Sequence, residues 1–208
     1  MFTGIIETTG KIQKIKPSFA PSGGATAGKN KKVYFIIEVK NFLKDIKTGA
    51  SISCDGVCLT VVKKTKDSFT VELMPETLRL TKFADARAGD LINLEKSLKI
   101  GERLDGHFVM GHVDGVGVVK KVIKEGEYTD LIINVPKKII KYLAYKGSAS
   151  INGVSLTIAG NGKDWLKVCL ITHTLEITNL SVLKAGDKVN IEVDMIARYL
   201  ESLAVVTR

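Results

Sequence analysis

The sequence predicts an all-β protein that consists of two tandem six-stranded β-barrels, related by internal duplication, and a C-terminal α-helix. Three observations predict this fold: a long internal repeat, many short runs in which apolar and polar residues alternate, and a final segment with apolar residues at helical spacing. The composition agrees, because 45% hydrophobic and 25% charged residues are typical of a globular chain.

The internal repeat joins three pairs of segments that share one offset of 97 positions. The pairs are Asp55–Val61 with Asn152–Ile158, Glu76–Thr81 with His173–Thr178, and Ala88–Glu95 with Ala185–Glu192. A fourth pair, Gly4–Glu7 with Gly111–Asp114, has an offset of 107, and we assign the extra 10 residues to a polar, glycine-rich loop at Pro17–Lys32. A period this long is not that of a solenoid, so we expect an N-terminal domain at 1–97, a C-terminal domain at 98–194 and a helix at 195–208.

Each copy contains short segments that are rich in β-branched residues and bounded by glycine or aspartate. In the first copy we predict strands at Lys11–Ile15, Val33–Val39, Ser51–Ser53, Leu59–Val62, Phe69–Leu73 and Leu91–Leu94. Six short strands in one copy favour a small closed barrel, because closure removes exposed sheet edges. A short helix is predicted at Pro136–Tyr145, with its counterpart at Lys40–Ile46.

The last segment, Met195–Val206, predicts an amphipathic helix. Its apolar residues at helical spacing are Met195, Ile196, Tyr199, Leu200 and Leu203. Such a helix either covers its own domain or bundles with copies of itself. The first copy has no equivalent helix, and we favour bundling, which would give an oligomer.

Charge and cysteine content exclude several classes of protein. No apolar run is long enough to span a membrane, and the N-terminus lacks the features of a signal peptide, so we expect a cytoplasmic protein that does not bind membranes. The net charge of +9 comes from scattered lysines, which favours a basic surface over nucleic-acid binding. Three cysteines, Cys54, Cys58 and Cys169, without a Cys-x-x-Cys pair predict free thiols and no metal site.

Residues that could carry chemistry lie where the two copies differ. The matched pairs are Cys58 with Ser155, His112 with Ile5, His173 with Glu76, and Asp194 with Ser97. Two pockets of one shape with different reactive groups suit a reaction that treats two similar molecules differently, but neutral drift explains the same differences equally well. His107 and His112 are five residues apart, so on a strand they would face opposite sides and would not share a metal ion. Each is also typical of a structural histidine.

A set of longer motifs carries a family resemblance along nearly the whole chain. They are MFTGIIE, the two GV(C/S)LT segments, PETLRLT, NLEKSL, GHFVMGHVDGVG, YLAYKGSASINGVSLT and VNIEVD. In this combination and order they resemble riboflavin synthases of the α-chain type. The resemblance implies Greek-key lumazine-binding barrels, a homotrimer held by C-terminal helices, and no cofactor. It also names lumazine synthase as a candidate partner.

The same resemblance implies a reaction. Two molecules of 6,7-dimethyl-8-ribityllumazine exchange a four-carbon unit, which gives riboflavin and 5-amino-6-(D-ribitylamino)uracil. The active site would lie between the N-terminal barrel of one subunit and the C-terminal barrel of its neighbour. A flat, polyol-tailed substrate suits backbone amides near glycines and the hydroxyls of Ser and Thr.

By motif position, the resemblance assigns substrate-binding residues to two groups. For the N-terminal barrel they are Gly4, Ile5, Ile6, Cys58, Leu59, Thr60 and a strand with Glu72, Leu73, Met74, Pro75, Glu76 and Thr77. For the C-terminal barrel they are Gly111, His112, Val113, Lys146, Ser155, Leu156, Thr157 and a strand with Cys169, Leu170, Ile171, Thr172, His173 and Thr174.

The resemblance further implies which residues act in catalysis. Candidates for proton transfer, nucleophile positioning and polarisation are His112, Cys58, Ser155, Thr157 and Asp194, and Phe2 belongs to an N-terminal motif that the family needs for activity. The nucleophile at C7 stays open among water or hydroxide, a ribityl hydroxyl and a side chain. His173 adds either a local proton donor or a surface charge.

Two other functions are compatible with parts of this pattern. A non-catalytic lumazine- or flavin-binding protein shares the duplicated fold, but such proteins typically lose the GHxxxGH segment and the second-barrel SLT frame, both of which are present here. A basic β-barrel RNA-binding module would need basic and aromatic residues clustered on one face, which the sequence does not show.

Overall fold

The structure is a computed structural model that describes residues 1–17 and 32–206. Most of the predicted Pro17–Lys32 loop and the last two positions of the predicted 195–208 segment therefore lie outside the described residues. Within the described part, the chain forms two closed antiparallel barrels of six strands each, as the sequence predicts.

All six predicted strands of the first copy are present, several with longer ends. They are β1 Thr8–Pro17, β2 Val33–Glu38, β3 Ser51–Cys54, β4 Val57–Lys64, β5 Ser68–Leu73 and β6 Leu91–Lys96. The strands of the second barrel are β7 Gly115–Glu125, β8 Tyr128–Asn134, β9 Ser148–Ile151, β10 Val154–Asn161, β11 Trp165–Ile171 and β12 Lys188–Val193.

Both barrels have the same strand order. Around the first barrel it is β1-β2-β5-β4-β3-β6, and the second repeats it with β7-β8-β11-β10-β9-β12. Strands β3, β4 and β5 are consecutive neighbours, and β2 lies beside β5, which is a Greek-key connection. Register shifts at Ile12/Lys14 and Val61/Lys63 recur at Val119/Lys121 and Ile158/Gly160. The duplication therefore preserves even the bulges that bend the strands.

Alternation of apolar and polar residues places one side of each strand inside a barrel. In β5, Phe69, Val71 and Leu73 are buried while the residues between them are partly exposed. Burial of each such side chain stabilises the fold by about 1.5–3 kcal/mol. The two barrels thus have separate apolar cores, which explains why each copy of the repeat keeps its own alternating pattern.

Two predicted strands are shorter than expected because a helix follows each of them. Strand β5 ends at Leu73, and helix α1 spans Pro75–Leu80, so the predicted strand from Glu72 to Thr77 is wrong. Proline cannot donate to a β-ladder and is favoured in the first turn of a helix. The predicted strand from Cys169 to Thr174 is wrong in the same way, because a matching helix spans Thr172–Ile177.

The predicted pair of short helices is largely absent. Only Lys137–Ile140 of the predicted Pro136–Tyr145 helix is helical, which makes it α2 and the Thr172–Ile177 helix α3. Farther along, Tyr142 and Leu143 donate to carbonyls three positions back, as in tight turns. The matching Lys40–Ile46 segment contains turns instead of a helix, and Asn41 has a positive φ of 57°. Segments this short do not sustain helical structure by themselves.

The C-terminal helix is confirmed as α4, Met195–Val206. Its exposed apolar residues are Ile196, Tyr199, Leu200 and Leu203, each more than half exposed. In the part of the chain that the structure describes, no helix is long and apolar enough to cross a membrane.

The two barrels meet through a buried polar network around a local twofold relationship. A Cβ added to Gly56 would lie 2.8 Å from the backbone nitrogen of its counterpart Gly153, so the backbones touch. Beside this contact, the fully buried carboxylate of Asp55 pairs with Lys82 at 2.7 Å and accepts a hydrogen bond from Asn179 Nδ2 at 2.8 Å. In the second copy Asn152 and Asn179 replace Asp55 and Lys82, so one half of the network is charged and the other is neutral.

Candidate active site

The two glycine-containing segments lie against the barrel of the opposite copy. The N–H of Ser155 on β10 donates to the carbonyl of Gly4 at 2.8 Å, and the N–H of Cys58 on β4 donates to the carbonyl of Gly111 at 2.9 Å. We expected Gly4, Ile5 and Ile6 to join Cys58, and this expectation is wrong. We name the two sites the Ser155 pocket, with Ser155–Thr157 and Thr3–Ile6, and the Cys58 pocket, with Cys58–Thr60 and Met110–Val113.

Each glycine-containing segment lies against the barrel of the opposite copy because the two segments cross. Phe2 and Val109 occupy matched positions of the repeat and form an antiparallel bridge, with N–H to carbonyl distances of 2.7 and 3.1 Å. Beyond this bridge, Ile6 packs into the core of the second barrel and Val113 packs against the core of the first. Phe2 is fully buried, which gives it a role in positioning these segments and removes it from the surface that a substrate could touch.

Glycine is required where each segment touches its strand. Gly4 has a φ of +77°, and an added Cβ would lie 2.6 Å from Ser155 Cβ. Gly111 has a φ of +80°, and an added Cβ would lie 2.5 Å from Cys58 Cβ. Both positions therefore need a residue without a side chain, for conformational and steric reasons together.

A buried glutamate holds each segment, and this glutamate lies on the last strand of the segment's own copy. Glu95 on β6 accepts hydrogen bonds from the N–H groups of Thr3 and Gly4, at 2.6 and 3.0 Å. Glu192 on β12 accepts from the N–H groups of Met110, Gly111 and His112, at 2.7 to 2.9 Å. Burial raises the pKa of both carboxyls, although these backbone donors favour the ionised form.

The Ser155 pocket contains a histidine that the catalytic predictions missed. His107 Nδ1 lies 2.7 Å from Ser155 Oγ, and the His107 N–H donates to the carbonyl of Thr3 at 3.1 Å. Burial lowers the pKa of His107, while the charge of Asp194 opposes this shift. The neutral ring is therefore available to accept a proton from the serine hydroxyl. A Cβ on Gly106 would lie 2.0 Å from the Thr3 carbonyl oxygen, so the close approach of this segment to Thr3 requires glycine at position 106.

The other catalytic candidates lie at the edges of the two pockets. His112 belongs to the Cys58 pocket and has an exposed side chain, so it does not lie with Ser155 as predicted. Asp194 is half-buried and caps α4 by accepting from the N–H of Ile196 at 2.9 Å. Thr157 is exposed on β10, in register with Ser148 of β9. The structure thus brings Ser155 and His107 together and leaves Cys58 in a pocket of different chemistry.

The predicted binding residues on β5 and β11 form matched polar pairs on the outer face. Glu72 accepts from the Tyr34 hydroxyl at 2.9 Å, and Cys169 Sγ donates to Asp130 at 2.9 Å. Burial and the neighbouring Asp130 raise the pKa of the Cys169 thiol, which keeps it protonated. Other predicted binding residues fall into three classes of burial. Leu59, Leu73, Leu156 and Leu170 are buried, whereas Thr60, Met74, Glu76, Ile171, Thr172 and His173 are exposed, and Pro75, Thr77 and Thr174 are intermediate.

Lys146 lies outside the two pockets as we define them. It is exposed, in the turn before β9, with a φ of +62°, and its N–H donates to the carbonyl of Ile158.

A separate cavity of about 570 Å³ lies between the barrels and is lined by residues such as Asp55, Lys82 and Asn179, none of them a predicted site residue. Among the described residues, no cluster of three His, Cys, Asp or Glu side chains could hold a metal ion.

Comparison with known proteins identifies the class. The family model described as "Lumazine binding domain" matches residues 3–97 and 110–194, which are the two copies of the repeat. Solved structures of LumP in complex with riboflavin and with 6,7-dimethyl-8-(1'-D-ribityl) lumazine have TM-scores of 0.81 and 0.79. Both are 25% identical to this chain and cover 93% of it and 99% of their own chains. Two closed barrels that each match this domain therefore define a protein with a duplicated lumazine-binding domain.

A more similar protein shows to which family within that class the chain belongs. The riboflavin synthase of Brucella abortus (strain 2308) is 41% identical over 209 residues, which is 98% of this chain and 98% of that protein. The chain belongs to the riboflavin synthase family.

Proposed function

We propose that the protein catalyses the dismutation of two molecules of 6,7-dimethyl-8-ribityllumazine into riboflavin and 5-amino-6-(D-ribitylamino)uracil. The observation that carries this proposal is the pair of matched pockets, of which only one contains a Ser–His pair. A reaction between two identical molecules, one giving and one receiving a four-carbon unit, needs sites of similar shape and different chemistry. The pockets built around Ser155 and Cys58 have that relationship.

The backbone of each pocket suits a flat heteroaromatic ring. Gly4 and Gly111 let each wall segment lie directly against its strand, and each is fixed by a glutamate and by that strand. Fixed backbone donors and acceptors recognise the pyrimidine edge, and nearby threonines such as Thr60 and Thr157 bind the ribityl hydroxyls. Holding two rings in reactive geometry lowers the barrier by removing the entropy cost of bringing them together.

The Ser155 pocket supplies the means to move protons. The C7 methyl group of the lumazine is acidic because the ring takes up the resulting negative charge. His107, neutral at pH 7 and 2.7 Å from Ser155 Oγ, can take a proton through the serine hydroxyl and return it later. Asp194 favours the protonated ring once it forms, because its charge acts on His107.

Assembly as a homotrimer through α4 is part of this proposal. The exposed apolar face with Ile196, Tyr199, Leu200 and Leu203 is unusual for a helix that serves only its own chain. Packing of α4 helices would place the Cys58 pocket of one subunit opposite the Ser155 pocket of its neighbour. A variant that ends after Asp194 should be monomeric by sedimentation and have little turnover, and a trimer without α4 would contradict this role.

The direct test is conversion of the purified lumazine by the purified protein. We expect riboflavin to appear by absorbance and fluorescence, and the activity to survive EDTA, because the proposed steps use only side chains and backbone. Binding of the lumazine and of riboflavin without conversion of the lumazine would instead make the protein a non-catalytic carrier. Co-sedimentation with lumazine synthase would test that partner separately.

A further inference from the structure

A charged side chain of the C-terminal helix contacts the wall of the Cys58 pocket. Arg198 on α4 has Nη2 at 3.1 Å from Asp114 Oδ2 and at 3.4 Å from the carbonyl oxygen of His112. The same nitrogen lies 3.9 Å from Glu192 Oε1. Arg198 therefore reaches the chain segment and the glutamate that form and hold the wall of the Cys58 pocket.

The contacts continue from Arg198 to the pocket itself. Glu192 accepts from the N–H groups of Met110, Gly111 and His112, and the Gly111 carbonyl accepts from Cys58 N–H at 2.9 Å. Asp114 is itself anchored, because its Oδ2 accepts from the N–H of Val193 at 2.8 Å. A shift of Arg198 would thus act on Cys58 through a short path of ionic contacts and hydrogen bonds.

Among the described residues, no basic side chain forms an ion pair with the glutamate of the Ser155 pocket. Glu95 holds Thr3 and Gly4 there, and the additional donor is the Thr3 hydroxyl at 2.7 Å. The position that matches Arg198 at the repeat offset is Gly101. The duplication therefore gave both pockets a glutamate-held wall, whereas the link to α4 is specific to one.

We propose that Arg198 is a positioning residue that couples the placement of α4 to the ligand affinity of the Cys58 pocket and does not hold the wall segment of the Ser155 pocket. The inference rests on the proposed function for the identity of the ligand. Since α4 also carries the exposed apolar face, joining of subunits would order the Cys58 pocket and the Ser155 pocket would be formed without it. The two halves of the site would then differ in their dependence on assembly.

Two cysteines allow each pocket to be read separately in the full-length protein. Cys58 is partly exposed in its own pocket, and Cys169 is exposed on β11, where it is one of the residues predicted to bind the ligand of the second barrel, to which Ser155 also belongs. Cys54 is fully buried and should not react. Alkylation rates of Cys58 and Cys169, measured by peptide mass spectrometry with increasing 6,7-dimethyl-8-ribityllumazine, therefore report the two pockets from one sample.

The variant Arg198→Met removes the charge and keeps most of the side-chain length. We expect the lumazine concentration that protects Cys58 to rise about tenfold, and that for Cys169 to stay within about twofold, as for a coupling of ordinary size. Arg198→Lys should lie between wild type and Arg198→Met, because an ammonium group cannot reproduce the planar fork. Lys188→Met is the matched control, since Lys188 is a basic residue that pairs with the exposed Asp85 and not with a residue of α4 or of Met110–Asp114.

Hydrogen exchange of the ligand-free protein tests the coupling without any ligand. In Arg198→Met, the amides of Gly111 and His112 should exchange about tenfold faster, while those of Thr3 and Gly4 stay unchanged. Equal protection of Cys58 in wild type and Arg198→Met, or an equal loss at both cysteines and both wall segments, would overturn the inference. If lumazine protects neither cysteine in the wild-type protein, the proposed function fails, and the exchange measurement alone then decides whether the coupling exists.

Discussion

Ser155 donates its backbone N–H to the carbonyl of Gly4 at 2.8 Å, although the two residues belong to different copies of the repeat. The contact fixes which segment walls which pocket, and the matched contact from Cys58 to Gly111 at 2.9 Å repeats it in the other direction. Each pocket is therefore built from both copies. One consequence is that neither copy alone should contain a complete pocket.

The pair formed by Ser155 and His107 should behave as a unit in catalysis. His107→Gln and Ser155→Ala should each lower kcat about 100-fold, and the double variant should lose little more, because both changes interrupt the same proton transfer. Turnover of the lumazine measures all three. Losses that multiply in the double variant would show that the two residues act separately.

The pH dependence of the reaction should reflect the burial of His107. Its pKa is lowered from the ordinary value of 6.5, so the ring stays neutral as pH falls to that value and gains a proton only below it. The acid limb of kcat/KM should therefore lie below pH 6.5 and should disappear in His107→Gln. The unfolded chain takes up this proton at the ordinary pKa, so His107 also makes the fold less stable as pH falls from 6.5 through its lowered pKa. An acid limb above pH 6.5 would argue against His107 as the proton acceptor.

Alanine at either wall glycine should damage one pocket. Gly4→Ala and Gly111→Ala add a Cβ at 2.6 and 2.5 Å from the strand residue beneath, so the wall must move outward. We expect turnover to fall at least about tenfold, since misplacement by an ångström has effects of this size or more. Gly49→Ala is the control, because Gly49 has a φ of +90° and nothing within 4 Å of an added Cβ. It should cost about 1–2 kcal/mol of stability and keep turnover.

In the buried network between the barrels, Asp55 and Lys82 should tolerate substitution only when both are changed together. Asp55→Asn leaves Lys82 without its buried partner, and Lys82→Asn leaves a buried carboxylate unpaired, so each should cost about 3 kcal/mol of unfolding free energy. The double variant reproduces Asn152 and Asn179 of the second copy and should be within about 1 kcal/mol of wild type. Denaturant unfolding measures these differences.

An exposed pair between the barrels provides the control for that cycle. Lys188 pairs with Asp85 at 2.6 Å, and both side chains are more than half exposed. Lys188→Gln should therefore cost about 0.5 kcal/mol or less. Additive effects of Asp55→Asn and Lys82→Asn would contradict a specific pairing in the network.

Much of the site could be predicted because a repeat aligns residues without any coordinates. The offset of 97 pairs Cys58 with Ser155, and the structure places both at matched points of matched barrels. The importance of His107 was not visible in the same way. Its proximity to Ser155 depends on a chain crossing that brings residues 48 positions apart to 2.7 Å, and neither alternation nor spacing encodes that distance.

The errors in secondary structure have a local cause. An alternating pattern does not show at which residue a strand stops pairing with its neighbour. The helices that begin at Pro75 and Thr172 were therefore predicted as parts of strands. At Pro75 the missing N–H was a usable signal, whereas Thr172 gave none. The Lys40–Ile46 segment has apolar residues at the spacing of one helical turn. In the structure Phe42 and Leu43 are buried although the segment forms turns and not a helix.

By itself the sequence determined the two barrels, their duplication and the C-terminal helix, because periodicity and repeats can be recognised along the chain without knowledge of its three-dimensional contacts. Only the tertiary structure decided that the wall segments exchange barrels, that His107 meets Ser155, and that Arg198 reaches one wall and not the other. These features depend on which of two nearly identical surfaces a crossing segment packs against. Two copies of one pattern offer the same hydrogen bonds, so the choice between them is made by the path of the folded chain.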